Sequence, residues 1–333
     1  MRDINFFSSN NYLFLPTKKN PKVAIAVDDF DLAKNSFNLY NPFSLKAKFL
    51  KIISKSLYLY LNPIGKLFTI QKEKSEFIKY LEKKLNQSLV VSVYFATIQD
   101  KAVLQLQSRD AEVLGYLKYP LNETGLKHIK NEIKAFELLS SLKIVEPYLL
   151  SGHYNNQPFL FLKELNGDIG IVNKRNIETI LDRFRRESSY RLAHHPRILE
   201  MTKSIYKNRI KEYRYRIEKI IEKSTIEYQL VYEHGDFTPW NIIKVEKRYI
   251  PFDFEYFVED GLEYFDTIKY YYQIGKLLKQ KSGEALISYI YKEVDIPEIK
   301  ELLELFLIKE IIRGKEENQP FEFEEKIIKI LEK

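Results

Sequence analysis

His234-Gly235-Asp236-Phe237-Thr238-Pro239-Trp240-Asn241, with Asp253-Phe254-Glu255 shortly after, is the stretch on which the reading of this chain turns. An acid, an amide and a second acid arrive in that order. Asn241 to Val245 reads as a short strand, as does Arg248 to Asp253, and polar Glu246 and Lys247 lie between them. With Glu246-Lys247-Arg248 as the loop, Val245 pairs with Tyr249 and Asn241 stands opposite Asp253. Opposed residues of an antiparallel pair share a face, about 5 Å apart at Cβ. A slip of one residue sends them to opposite faces. Pro251 marks an edge or irregular position in the second strand.

Two oxygen ligands at that separation can share a divalent cation. A carboxylate beside them can accept the proton of a hydroxyl. Phosphoryl transfer from a nucleoside triphosphate asks for these parts, with Mg²⁺ as the cation. Asp236 is placed for the base, Asn241 and Asp253 for the metal. His-Gly-Asp alone is common, and single acids usually sit on solvated surfaces. The joint order of loop, strand, turn, strand and acid, with apolar flanks on both sides, speaks against that plain reading.

The string His-Gly-Asp, four residues, Asn, then Asp-x-Glu a hairpin later resembles the aminoglycoside phosphotransferase and choline kinase family, between about Leu89 and Tyr272. Protein kinases usually carry His-Arg-Asp and Asp-Phe-Gly at the matching places, so Gly235 and Glu255 point to the branch that phosphorylates small molecules. The resemblance implies an α+β, bilobal, protein-kinase-like fold. It implies a small β-rich nucleotide lobe, a larger mostly helical C-lobe, and ATP with Mg²⁺ as cofactors. It makes Asp236 the catalytic base and Asn241 and Asp253 the metal ligands. His234 and Asp266 become structural supports of the catalytic loop.

Upstream, Val90–Ala96, Val103–Gln107 and Val113–Lys118 read as strands, and Thr124 to Leu142 as a helix with an apolar stripe. Lys118 ends the third strand. By the resemblance it contacts phosphate, with Glu132 as its ion-pair partner and Glu137 as the rival; the plain alternative is a surface lysine. The loop Thr97–Lys101 has no glycine, whereas glycines let backbone approach phosphate closely. Pro158 to Gly167 resembles the last lobe strand and hinge, so Lys163, Glu164 and Leu165 would meet the purine edge.

The 333 residues, 45% hydrophobic, suffice for two lobes. The expected division is residues 1–88 as an N-terminal extension, 89–165 as the nucleotide lobe with hinge, and 166–333 as the catalytic and acceptor-binding lobe. The absence of cysteine excludes disulfides and thiolate metal sites and fits a reducing cytoplasm. The histidines show no zinc spacing, and His194-His195 before Pro196 suits a helix end or turn. Neither a secretory signal nor an apolar run of about 20 residues is found. The net charge of +7 is spread among acids and comes with no nucleic-acid-reading module, so no nucleic-acid partner is expected. It argues mildly against a polycationic substrate.

Within the extension, Val23 to Val27 reads as a strand, and Ser44 can cap a helix from Leu45 to about Leu61. That helix carries Phe49, Ile53 and Leu57 with Lys46, Lys48, Lys51 and Lys55. Two roles fit. The favoured one is a brace with its apolar side on the nucleotide lobe; the other is peripheral contact of residues 45–61 with the inner membrane surface. Further on, Ile177–Arg186, Ile198–Ile221, Ile268–Leu278, Ala285–Tyr291 and Ile299–Ile312 read as helices. The aromatics from Tyr256 to Tyr272 read mostly as core, with sugar stacking as the alternative. The function expected is transfer of the ATP γ-phosphate to a small-molecule hydroxyl, on a sugar or surface-glycan-related metabolite. Kinases of choline-like amino alcohols or aminoglycosides are the rivals within enzymes, and a nucleotide-binding pseudokinase scaffold is the rival outside them.

Overall fold

Val-, Leu- and Tyr-rich segments broken by polar turns make the first half of the chain a sheet. The computed structural model describes residues 5–39, 45–60 (side chains from residue 49), 68–95 and 100–332. The strands are β1 (Asn11–Leu15), β2 (Val23–Ala26), β3 (Ile70–Gln71), β4 (Val90–Phe95), β5 (Lys101–Gln107), β6 (Val113–Pro120), β7 (Leu150–Tyr154) and β8 (Gln157–Lys163). They form one antiparallel sheet in the order β3-β1-β2-β4-β5-β6-β8-β7. Three helices accompany them: α1 (Phe30–Ser36), α2 (Leu45–Tyr60) and α3 (Glu76–Leu85). The Ser75 side chain caps α3 by accepting from the Ile78 N–H, and Asn86 ends it in left-handed backbone. The apolar face of α3 (Phe77, Ile78, Leu81) fills the core together with Tyr12, Val91, Leu104 and Phe159. The Phe77 ring lies 5.2 Å from that of Tyr119 and 4.8 Å from that of Tyr154. Truncating so enclosed a ring to Ala costs about 3–5 kcal/mol.

The chain divides into two compact units, Met1–Ile133 with Pro147–Leu165, and Lys134–Glu146 with Asn166–Lys333. No boundary falls at 88/89. Residues 1–88 supply three strands of the sheet and the helix that closes its core, because β2 pairs directly with β4. The helix α4 (Glu123–Ser141) follows β6; its residues to Ile133 belong to the first unit. The β-rich first unit and mostly helical second unit have the α+β organisation that the sequence implies.

The second unit holds two small sheets. One is ordered β10-β11-β14, from Arg185–Arg191, Glu227–Glu233 and Val258–Leu262. The other is ordered β13-β12-β9, from Arg248–Pro251, Ile242–Val245 and Asp168–Ile169. Its helices are α5 (Lys174–Asp182), α6 (Pro196–Asn208), α7 (Glu212–Lys223), α8 (Phe265–Gln273), α9 (Gly283–Glu293), α10 (Ile299–Glu317) and α11 (Glu322–Leu331). The helix expected over Ile177–Arg186 stops at Asp182, and Arg185 and Arg186 open β10. The helix expected over Ile198–Ile221 is two helices, separated where Arg209 takes φ +58°. His195 is the N-cap of α6, its Nδ1 accepting from the Arg197 N–H at 3.2 Å, and Pro196 opens the helix. Phe257, Phe265, Tyr270, Tyr271 and Tyr272 are buried, so the aromatic run is core in the main.

Candidate active site

Gly235 lets the loop over 234–241 turn. Its φ is +77°, and a Cβ there would stand 2.1 Å from the Tyr256 carbonyl oxygen. Two backbone donors this turn exposes meet one acid: Asp266 accepts from the N–H of His234 at 2.6 Å and of Gly235 at 3.0 Å. Burial, then the charge of Glu233, pushes the Asp266 carboxyl up to about 7. The His234 ring is buried, with Nε2 3.0 Å from the Phe252 carbonyl and its face 4.5 Å from the Phe254 ring. Burial lowers its pKa, while the charges of Asp236 and Asp253 oppose that fall. Both carboxylates therefore lie within electrostatic reach of this one ring.

Pro239 to Asn241 form a single 3₁₀ turn, closed by the Asn241 N–H on the Thr238 carbonyl at 3.0 Å. That turn directs the Asn241 amide back onto the loop. Its Nδ2 donates to the Asp236 carbonyl and to Asp236 Oδ2, each at 2.9 Å. With the amide nitrogen so used, the amide oxygen is the Asn241 atom suited to a cation.

The hairpin differs from expectation by one residue. Val245 pairs with Arg248 and Ile242 with Pro251, so the loop is Glu246-Lys247, with Glu246 at φ +55°. The Phe252 N–H bonds the Asn241 carbonyl at 3.0 Å, which puts Phe252, not Asp253, opposite Asn241. Asp253 lies beyond the strand with φ +68°, outside the strand alternation. Strand register thus orients neither ligand candidate: the 3₁₀ turn sets Asn241, and left-handed backbone sets Asp253.

Sequence reasoning missed the groups around Asp236. Lys269, fully buried on α8, places Nζ 3.3 Å from Asp236 Oδ1 and 2.8 Å from Glu310 Oε2 on α10. Arg313 pairs with the same Glu310 and stacks 4.6 Å from the Tyr256 ring. Burial and the Arg313 charge lower the Lys269 pKa. Burial alone would raise Glu310; Arg313, Lys269 and Lys309 outweigh it and hold the carboxyl well below the usual range. Lys309 also reaches Glu233 at 2.9 Å, and Arg197 meets that carboxylate at 3.1 Å. A signal existed: Lys269 stands among Ile268, Tyr270, Tyr271 and Tyr272, and Lys309-Glu310 interrupt an apolar run, settings in which a charge is buried only when paired.

In the first unit, Lys118 on β6 meets Glu132 on α4 through both carboxylate oxygens, at 2.7 and 2.8 Å. Both side chains are buried, whereas Glu137 is exposed. Lys163 ends β8 opposite Gly115 and is exposed. Glu164, half-buried, accepts from the Tyr116 hydroxyl at 3.3 Å, and burial raises its pKa. Leu165 follows at the end of the unit. Residues 97–99 of the glycine-free loop lie outside the described residues.

Among the described residues, no group of three or more His, Cys, Asp or Glu could hold a metal alone. Asn241 and Asp253 suit a different donor set. Mg²⁺ in nucleotide enzymes takes one or two protein oxygens and completes its shell with water and phosphate. A cavity of about 130 Å³ in the second unit is lined by Tyr232, Tyr264, Tyr271 and Asp266 but not by Asp236, Asn241 or Asp253.

No family model and no curated protein matches this chain. Among solved structures it is similar to a Plasmodium vivax ethanolamine kinase (11% identity, 92% of this chain and 93% of that one, TM-score 0.47). It is similar also to the choline kinase LicA from Streptococcus pneumoniae (14%, 78% and 99%, 0.49). A third is the macrolide 2'-phosphotransferase MphH from Brachybacterium faecium (11%, 77% and 97%, 0.48). By name, all three are kinases or phosphotransferases of small molecules, as are the proteins the sequence motif resembles.

Proposed function

We propose that the chain is an ATP- and Mg²⁺-dependent phosphotransferase acting on a hydroxyl of a small molecule, with Asp236 as the base. The observation that carries this reading is the hold on Asp236. Asn241 Nδ2 occupies one carboxylate oxygen and Lys269 Nζ stands by the other. An acid fixed at both oxygens is oriented before an acceptor arrives, which is what a base in phosphoryl transfer needs. Asn241 and Asp253 would hold Mg²⁺, which supplies charge neutralisation on the phosphates when bound. Lys118, fixed by Glu132, would meet phosphate, and the backbone around Lys163, Glu164 and Leu165 the base of the nucleotide.

For the acceptor, a sugar or sugar-derived metabolite is the reading favoured. Lys269 and Arg313 both act on the Asp236 charge, so a polycationic acceptor would meet like charge there. The choline-like and aminoglycoside alternatives need an acid-rich acceptor side. Release of ADP over sugars, amino alcohols and aminoglycosides separates them. Asp236→Asn should lower turnover by about 10²–10⁴-fold and leave nucleotide affinity nearly intact. Turnover within about twofold of the parent would remove Asp236 from the role of base.

A further inference from the structure

From residue 32 to residue 72 the chain carries seven lysines and no acid. The helix α2 lies inside this stretch, and it packs on the first unit through the face opposite to the expected one. Phe49 is 66% exposed, Ile52 61% and Tyr60 76%, with Ile53 exposed between them. Positions 49, 52, 53 and 60 share one helix face. The opposite face carries Tyr58, 4% exposed, which packs with Leu15, Val23, Ile25 and Phe37. The brace is thus made by Tyr58; of the residues expected to pack, Phe49 and Ile53 face solvent and Leu57 is half-buried. Lys51 is half-buried, its pKa lowered by burial and by the charge of Lys55.

A contiguous exposed apolar face marks an interaction surface. A second copy of the chain is a poor occupant: a two-fold contact sets this lysine-rich, acid-free stretch against itself. Nor can α2 cross a bilayer, since no helix among the described residues is long and apolar enough. An anionic lipid surface complements both features. It takes the apolar stripe at the acyl boundary and the lysines at the headgroups. We propose that Phe49, Ile52, Ile53 and Tyr60 of α2 dock the protein on an anionic lipid surface, with the flanking lysines supplying the electrostatic part. This proposal is independent of the phosphotransferase reading.

The test is co-sedimentation of the full chain with vesicles of phosphatidylcholine alone and of phosphatidylcholine with phosphatidylglycerol. Binding should require phosphatidylglycerol and weaken about tenfold or more between roughly 0.05 and 0.5 M salt. The variant Phe49→Ser/Ile52→Ser/Ile53→Ser should lose at least about tenfold in binding with its melting temperature unchanged, because it alters exposed side chains only. Lys46→Gln/Lys48→Gln/Lys55→Gln should lower binding and flatten the salt dependence. Absence of binding to phosphatidylglycerol vesicles overturns the proposal, as does equal binding to neutral ones or binding that the serine variant retains. Lipid-free self-association abolished by the serine variant would overturn it in favour of a second copy.

Discussion

Lys269 has no exposed surface and is held between Asp236 and Glu310. Removing one member of a buried charge group strands the others without solvent, which costs about 3–5 kcal/mol. Lys269→Met is therefore expected to destabilise by that amount in urea unfolding, and Lys269→Arg to recover part of it. A loss under about 1 kcal/mol would deny the buried ion pair. His195 yields a second prediction. Burial lowers its pKa to about 4, against 6.5 in the unfolded chain. Between those values the unfolded chain binds the proton and the folded one does not. Stability present above pH 6.5 is then lost as pH falls toward 4, by at most about 3 kcal/mol. His195→Asn keeps an acceptor at the N-cap of α6 and should flatten this slope in denaturation series at several pH values. A slope unchanged in the variant would place the acid sensitivity elsewhere. Asp236, Asn241 and Asp253 could be read from the sequence as a candidate set because they are near neighbours in it. Glu310 could not, because the partner it holds, Lys269, is 41 residues away.

Elements were legible where their apolar periodicity was strong. The stripe read over Thr124 to Leu142 declares α4, and Val113 to Lys118 declares β6. The strand β10, Arg-Arg-Glu-Ser-Ser-Tyr-Arg, is nearly all polar and exposed, so its pattern carried no strand signal. The hairpin register went wrong at one residue. A two-residue loop needs left-handed backbone, and Glu246 is not a residue that announces it. Asn visits that region readily, so Glu246→Asn should stabilise the protein by about 0.5–1 kcal/mol. Chemical denaturation checks this, and a loss of stability would show that the Glu246 side chain matters more than its backbone. The outward turn of α2 was also illegible, because an amphipathic pattern gives a stripe without saying what lies against it.

At the scale of the molecule, the first unit is one sheet that the residues before Leu89 help to build. A chain beginning at Leu89 lacks β1, β2, β3 and α3, leaving Leu104, Leu117 and Phe159 without the cover of Phe77 and Leu81. It is expected to lose cooperative unfolding of that unit, seen in near-ultraviolet circular dichroism and calorimetry. A soluble truncated chain with the parent's transition would show the sheet from β4 onward to be self-sufficient. The loop over 234–241 in the second unit has a consequence in time. Loop amides commonly exchange with solvent deuterium quickly, because small local openings free them. The amides of His234 and Gly235 are bound to a buried carboxylate that α8 carries, so releasing them requires α8 to leave its packing. These two loop amides should exchange as slowly as those in the middle of α10, and a deuterium label should enter the loop only when the unit as a whole opens.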